Sequence, residues 1–166
     1  MKTFSSLKFA DRGWFLAFCV ATVLAPATYL HAALPAPEVT PEERAVLAPL
    51  QGVFDGIAQH NRDLVRAQLL PGGMATLVRD GKPVQLHFDA FVEHVPASGT
   101  AKLAEVIHDP LVRIDDDIAI IWAPYVFTVD GKVDHCGTDI VNLVRRDNRW
   151  LISGIADNSR KDCGTK

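Results

Sequence analysis

The 166-residue chain has no run of basic residues, no glycine-rich phosphate loop, no nucleophile elbow and no dinucleotide fingerprint. With 17 Lys and Arg against 20 Asp and Glu, its formal charge is -3, so it carries no electrostatic footprint for nucleic acid. His87, His94 and His108 have no metal-ligand spacing among themselves or with cysteine, and Asp115–Asp117 lacks the further spaced oxygens of a calcium loop. No metal and no cofactor are expected. The longest apolar stretch, Trp14 to Ala27, is shorter than the roughly 20 residues a membrane-spanning helix needs.

That short apolar run instead has the setting of an export signal. Lys2, Lys8 and Arg12 precede it, and small residues follow at Ala25-Pro26-Ala27 and His31-Ala32-Ala33. Cleavage is expected near Ala33, making residues 1–33 a signal peptide and placing the protein in the periplasm or outside the cell, with no membrane attachment after cleavage. Loss of three basic residues and Asp11 moves the formal charge from -3 to -5. Of three cysteines, Cys19 leaves with the signal, while Cys136 and Cys163 remain. In an oxidising compartment these two can pair; a buried Cys136 with a loose Cys163 is the alternative.

What is present is one domain's worth of chain, 48% apolar, enough to build a core. LPAPEV at 34–39 reads as an extended linker. Thr40-Pro41-Glu42-Glu43 is a helix start: a threonine cap, proline at the first helical position and glutamate three after the cap. Val46, Leu47, Leu50, Val53, Phe54 and Ile57 follow at helical spacing, with Pro49 expected to kink or split the helix. A second short helix is expected to Leu70, stopped by Pro71-Gly72-Gly73. Met74–Leu86 is a hairpin around Asp80-Gly81, and Phe88–Val95 a third helix. Beyond Ala101 come four strand runs, Lys102–Ile114, Asp117–Val129, Lys132–Arg146 and Arg149–Ser159, separated by aspartate-rich turns. Helices followed by an antiparallel meander make the class α+β.

A two-residue turn at Asp130-Gly131 sets Val129 against Lys132, Val126 against His135 and Trp122 against Asp139. Trp122, Val126, His135, Gly137 and Asp139 then share one face, with Ile121, Tyr125, Phe127, Cys136 and Ile140 on the other. Pro124 opposite Gly137 suggests a bulge, which would flip the assignments beyond it. At Asp147-Asn148 the same rule sets Leu143 against Ile152, Asp139 against Ala156 and Thr138 against Asp157. Both faces carry apolar groups, so the face without helices is expected to be buried against a second copy of the chain.

The run WAPYVFTVDGKVDHCGTDIVNLVRRDNRWLISGIAD, with its W-A-P-Y-x-F and H-C-G-x-D words and closing R-W-L-I strand, resembles the nuclear-transport-factor-2-like superfamily. Within it, the chain is similar to small bacterial members described as polyketide-cyclase-like or lumazine-binding, over residues 40–163. The resemblance implies a cone-shaped α+β fold, a curved antiparallel sheet wrapped around N-terminal helices, an apolar pocket at the open end and a homodimer. It implies no reaction, because the fold hosts isomerases, cyclases, dehydratases and non-catalytic binders. The buried base and oxyanion hole of the superfamily's steroid isomerases have no counterpart by motif in this sequence.

Candidate ligand-binding residues are Trp122, Tyr125, His135, Asp139 and Asp157. His135 and Asp139 lie roughly 13 Å apart along one strand, too far for a hydrogen-bonded dyad but suited to flanking a ligand. The plainer account has His135 satisfying a backbone group and Asp139 pairing with Arg79 or Arg113. Trp122 and Tyr125 suit a flat, mostly apolar ligand or ordinary packing; Asp157 is a carboxylate near the pocket mouth or a solvated strand end. The leading expectation is an exported binder of a small hydrophobic or aromatic molecule. The alternatives are an isomerase or cyclase with His135 or Asp139 as general base, and a non-catalytic interaction module.

Overall fold

The computed structural model describes residues 39–164. The expected signal peptide and nearly all of the linker lie outside the described residues. The chain order is α1 (Pro41–Ala58), α2 (Arg62–Arg66), β1 (Leu69–Arg79), β2 (Lys82–His87), α3 (Phe88–Glu93), β3 (Leu103–Ile107), β4 (Leu111–Asp115), β5 (Ile118–Val129), β6 (Lys132–Arg146) and β7 (Arg149–Arg160). The strands form one open seven-stranded sheet in the order β2-β1-β7-β6-β5-β3, with β4 also pairing β5. Every pairing is antiparallel except β1 with β7. Helices precede a curved, mostly antiparallel sheet, the α+β cone architecture.

Helix α1 starts where its capping sequence dictates. The Thr40 hydroxyl accepts from the Glu43 N–H at 3.1 Å, and the Glu43 carboxylate accepts from the Thr40 N–H at 2.8 Å. The expected break at Pro49 is absent: α1 runs unbroken through it, and Pro49 is itself buried beside Val46, Leu50, Val53 and Phe54. This stripe packs against the inward sheet face, whose fully buried residues include Ile121, Val141, Leu143 and Ile152.

Three further expectations need correction. Pro71-Gly72-Gly73 does not precede the sheet but forms an irregularity inside β1, between Leu69 and Met74. The third helix is shorter than expected and is preceded by His87 as its cap residue. The run Lys102–Ile114 splits into β3 and β4, because Asp109-Pro110 interrupts it with Asp109 at φ 44°. This interruption faces Pro124. Strand β5 pairs β4 through Trp122 and β3 from Tyr125 onward, so the residue without an N–H donor sits at the seam, its carbonyl accepting from His108 at 2.8 Å.

Cys136 and Cys163 form a disulfide with Cα atoms 5.8 Å apart, tying the C-terminal tail to the outer side of β6. Lys161 adds an ion pair to Asp134 at 3.1 Å. The bridge closes a loop 27 residues long in sequence separation. Chain entropy then predicts that Cys163→Ser lowers unfolding free energy by roughly 3 kcal/mol, read by urea denaturation under oxidising conditions. Equal stability of the variant and the oxidised parent would show that the bridge constrains nothing.

Candidate functional site

The hairpin of β5 and β6 sets the site's register. Its turn, with Asp130 at φ 52° and Gly131 at φ 76°, is the tight turn expected. Val129 pairs Lys132, as the sequence rule requires, but one step further Thr128 pairs Val133 and Phe127 pairs His135. Asp134 is an extra residue in β6. This bulge lies next to the turn, not at Pro124, and it changes every pairing beyond it by one. Trp122 therefore opposes Ile140, Ala123 opposes Asp139, Pro124 opposes Thr138 and Tyr125 opposes Gly137. A second irregularity between Asn142 and Leu143 keeps Leu143 on Ile152 but sets Asp139 against Asp157 and Thr138 against Asn158.

The correction regroups the candidates. His135, Gly137 and Asp139 share a face as expected, but their neighbours from β5 are Tyr125 and Phe127 in place of Trp122 and Val126. Trp122 points to the outer face and is 44% exposed. Tyr125, His135, Asp139 and Asp157 all line an inward cavity of about 400 Å³, and Trp122 does not. Leu50, Val53, Phe54 and Ile57 of α1 form one apolar wall, with Phe91 and Val95 closing a second side.

Glycine at 137 is what allows Tyr125 to lie flat against the sheet. A Cβ there would collide with the Asn158 carbonyl and come 2.6 Å from the Tyr125 ring. The Tyr125 hydroxyl donates to that same carbonyl at 3.0 Å. Burial, followed by the charges of Asp157, Glu105 and Asp139, raises the Tyr125 pKa, so the phenol stays protonated. His135 is held by its neighbours: Nδ1 lies 2.8 Å from the Asp134 carboxylate, and the ring stacks on Phe127 with centroids 4.9 Å apart. The bulge residue thus supplies the imidazole's partner, where a backbone group was the simplest expectation.

Asp139 has neither arginine suggested for it. Arg113 donates to the Val112 carbonyl. Arg79 forms a two-pronged pair with Asp157, Nη1 to Oδ1 at 2.5 Å and Nη2 to Oδ2 at 2.9 Å. Asp139 is 5% exposed, the one buried acidic residue among those described, and its neighbour is the carboxyl of Glu105. Burial chiefly, with the charge of Asp157 added, lifts the Asp139 pKa to about 7. Glu105 is raised well above the carboxylate range by burial, then by the charge of Asp139 and the hydrogen bond it donates there. Its residue surface is only half-buried because β3 is an edge strand; the titrating carboxyl is the embedded end. Within the pair Glu105 is the donor and Asp139 the acceptor, and burial favours the protonated form of both.

Glu105 is the site residue that sequence reasoning missed. The signal was present: Leu103, Glu105 and Ile107 share one face of β3, so a glutamate stands between two inward apolar residues. Among the described residues no group of His, Cys, Asp and Glu converges to hold a metal ion, and no helix is long and apolar enough to cross a membrane. Chemically, the cavity can enclose an apolar body and offer it one acid proton, one carboxylate acceptor and a neutral phenol.

No family profile matches the sequence, and no curated protein matches it. Solved structures do resemble it. An NTF2-like protein from Cytophaga hutchinsonii superimposes with a TM-score of 0.61 at 13% identity, over 73% of this chain and 100% of that one. An NTF2-like protein of unknown function from Silicibacter pomeroyi gives 0.59 at 16% identity, over 72% and 97%. A protein of unknown function from Mycobacterium tuberculosis gives 0.61 at 18% identity, over 72% of each chain.

Proposed function

The chain has the nuclear-transport-factor-2-like fold, and from that premise we propose that it is an exported protein that binds a small, mostly apolar molecule in the cavity between α1 and the sheet. The observation that carries this reading is the half-open cavity of about 400 Å³, lined by aliphatic and aromatic side chains with a few converging polar groups. Tyr125, His135, Asp139 and Asp157 border it, joined by Glu105 and Arg79. The disulfide supports export, since such bridges persist in oxidising compartments. The neutral fluorophore N-phenyl-1-naphthylamine is expected to bind one per chain, and Leu77→Trp, which adds bulk at a half-buried lining position, to weaken it at least about tenfold, a loss of roughly 1.4 kcal/mol. Failure of the probe to bind, or equal binding by the variant, removes the pocket reading.

A second reading is favoured by one observation, the proton shared between Glu105 and Asp139. A carboxylate poised near pH 7 inside an apolar cavity is suited to general acid–base work, with Asp139 as base and Glu105 as acid on a carbonyl compound of the isomerase or cyclase type. His135 is the weaker base candidate, being held by Asp134 and Phe127. Turnover that survives Asp139→Asn unchanged would exclude this assignment.

We also propose a homodimer through the outer sheet face. Leu111, Trp122 and Ile140 stand side by side across β4, β5 and β6, each 44% exposed, with Ile118 and Ile120 along the same strand. Trp122→Glu is expected to give a monomer by analytical ultracentrifugation without affecting the cavity probe. A monomeric parent protein at micromolar concentration would refute the interface.

A further inference from the structure

The cavity's charges do not balance. Three carboxyls line it, from Glu105, Asp139 and Asp157, against a single guanidinium. Arg79 is already committed to Asp157 through both of its terminal nitrogens. No lysine lines the space, and α1 offers it only apolar groups. Of the remaining polar groups, Tyr125 gives its hydroxyl to Asn158, His135 turns Nδ1 to Asp134, and His94 turns Nδ1 to the Ala90 carbonyl. Glu105 and Asp139 are therefore left facing each other without a cation. Apart from Glu105, no group among the described residues donates to the Asp139 carboxylate, although that residue is 95% removed from solvent.

Burying an acid without a partner is costly, and the pair by itself meets the cost by keeping a proton between the two carboxyls. A ligand that supplies its own positive charge meets it differently, by replacing that proton. The rest of the lining suits such a ligand. Phe54, Phe91, Tyr125 and Phe127 surround the space, and ring faces attract desolvated cations. A carboxylate or phosphate ligand meets the opposite field, and a neutral one leaves the acid pair unpaired.

We propose that the occupant of this cavity is a cationic amphiphile, a primary or secondary ammonium group on an aromatic or aliphatic body, with the ammonium seated between Glu105 and Asp139. The assignment rests on the cavity being a ligand site and names the ligand's class. It carries a proton balance: each ammonium bound displaces the proton shared by the pair, which leaves to solvent. Affinity therefore rises with pH, by about tenfold per unit while the unliganded pair keeps that proton. An alkylammonium stays charged there, its pKa being near that of lysine, about 10.

The test is isothermal titration calorimetry of the intact oxidised protein with 2-(1-naphthyl)ethylamine, the matching alcohol and 1-naphthylacetate. The amine is expected to bind at least tenfold tighter than the alcohol at pH 8, with the carboxylate weakest. Amine affinity should fall roughly 100-fold from pH 8 to pH 6, as loss of one proton per amine requires over two pH units, and titration in two buffers of different ionisation enthalpy should register release of close to one proton. Glu105→Gln with Asp139→Asn should bring the amine down to the alcohol's affinity, with the fold checked by an unchanged far-ultraviolet circular dichroism spectrum. Equal affinity of alcohol and amine, or an amine that binds without proton release, overturns the assignment. If none of the three binds while the fluorophore does, the ammonium class is wrong and the pocket stands; if the fluorophore fails too, both readings fall.

Discussion

Asp139→Asn is expected to make the protein more stable at pH 8, by roughly 4 kcal/mol, and to leave its stability nearly unchanged at pH 4. The folded-state pKa of Asp139 is raised from 3.8 to about 7, chiefly by burial. Each unit of such a shift is worth about 1.4 kcal/mol between the two protonation states. A carboxyl whose pKa is raised on folding binds its proton more tightly in the native state. Its neutral form does no harm below the unfolded pKa, and stability is lost as the pH climbs from about 4 through about 7. Glu105, shifted in the same direction, adds to the loss. Urea unfolding at pH 4, 6 and 8 reads the effect directly. A parent protein no less stable at pH 8 than at pH 4, or a variant weaker at both, would mean that the pair is not held protonated by the fold. The expected gain also bears on function, since a residue whose charge opposes folding is a natural candidate for one that serves a ligand.

Gly137→Ala is expected to cost about 3 kcal/mol or more, and Gly137→Val to prevent folding at 37 °C. A Cβ at this position meets the Asn158 carbonyl, a backbone atom that cannot rotate away, and the Tyr125 ring at 2.6 Å. Relief requires either opening β6 from β7 or pushing the tyrosine out of its place, where it is 2% exposed and hydrogen-bonded. Overpacking in a core typically costs 1–3 kcal/mol, and a backbone clash lies at or above the top of that range. Thr138→Ala, one residue on and half-buried, is the control and should change stability little. Thermal unfolding followed by far-ultraviolet circular dichroism compares them, and a Gly137→Ala protein as stable as the control would refute the packing account.

These two residues mark how far the sequence could be read. The helix cap at Thr40, the turn at Asp130-Gly131 and the identity of each long strand are local features, and they were legible because capping and tight turns have a strong residue code. The placing of His135, Gly137 and Asp139 on one face followed from alternation alone. What stood opposite them did not. The bulge at Asp134 has no composition that distinguishes it from an ordinary strand residue, yet it exchanged Trp122 for Tyr125 in the cavity wall. Proline at 124 marks no bulge, because the break between β3 and β4 leaves no ladder partner for it to miss, a tertiary arrangement. Glu105 was hidden for a related reason: its meaning depends on sharing a cavity with Asp139, and only the pairing of an edge strand with β5 brings it there.

That edge strand separates two kinds of constraint on the sequence. Because Asp109-Pro110 cuts the outer strand in two, the five residues Leu103–Ile107 are hydrogen-bonded to β5 alone and can be rewritten without disturbing the pairings that hold β5, β6 and β7 together. Asp139 lies on a central strand within those pairings, so a change there also acts on the fold. Position 105 is therefore where relatives built on this scaffold can drift toward new ligands: glutamine or leucine in place of glutamate would leave the frame intact and remove one of the cavity's three carboxyls. Diversity among such proteins should concentrate on this short segment, with the aromatic lining and Gly137 held constant.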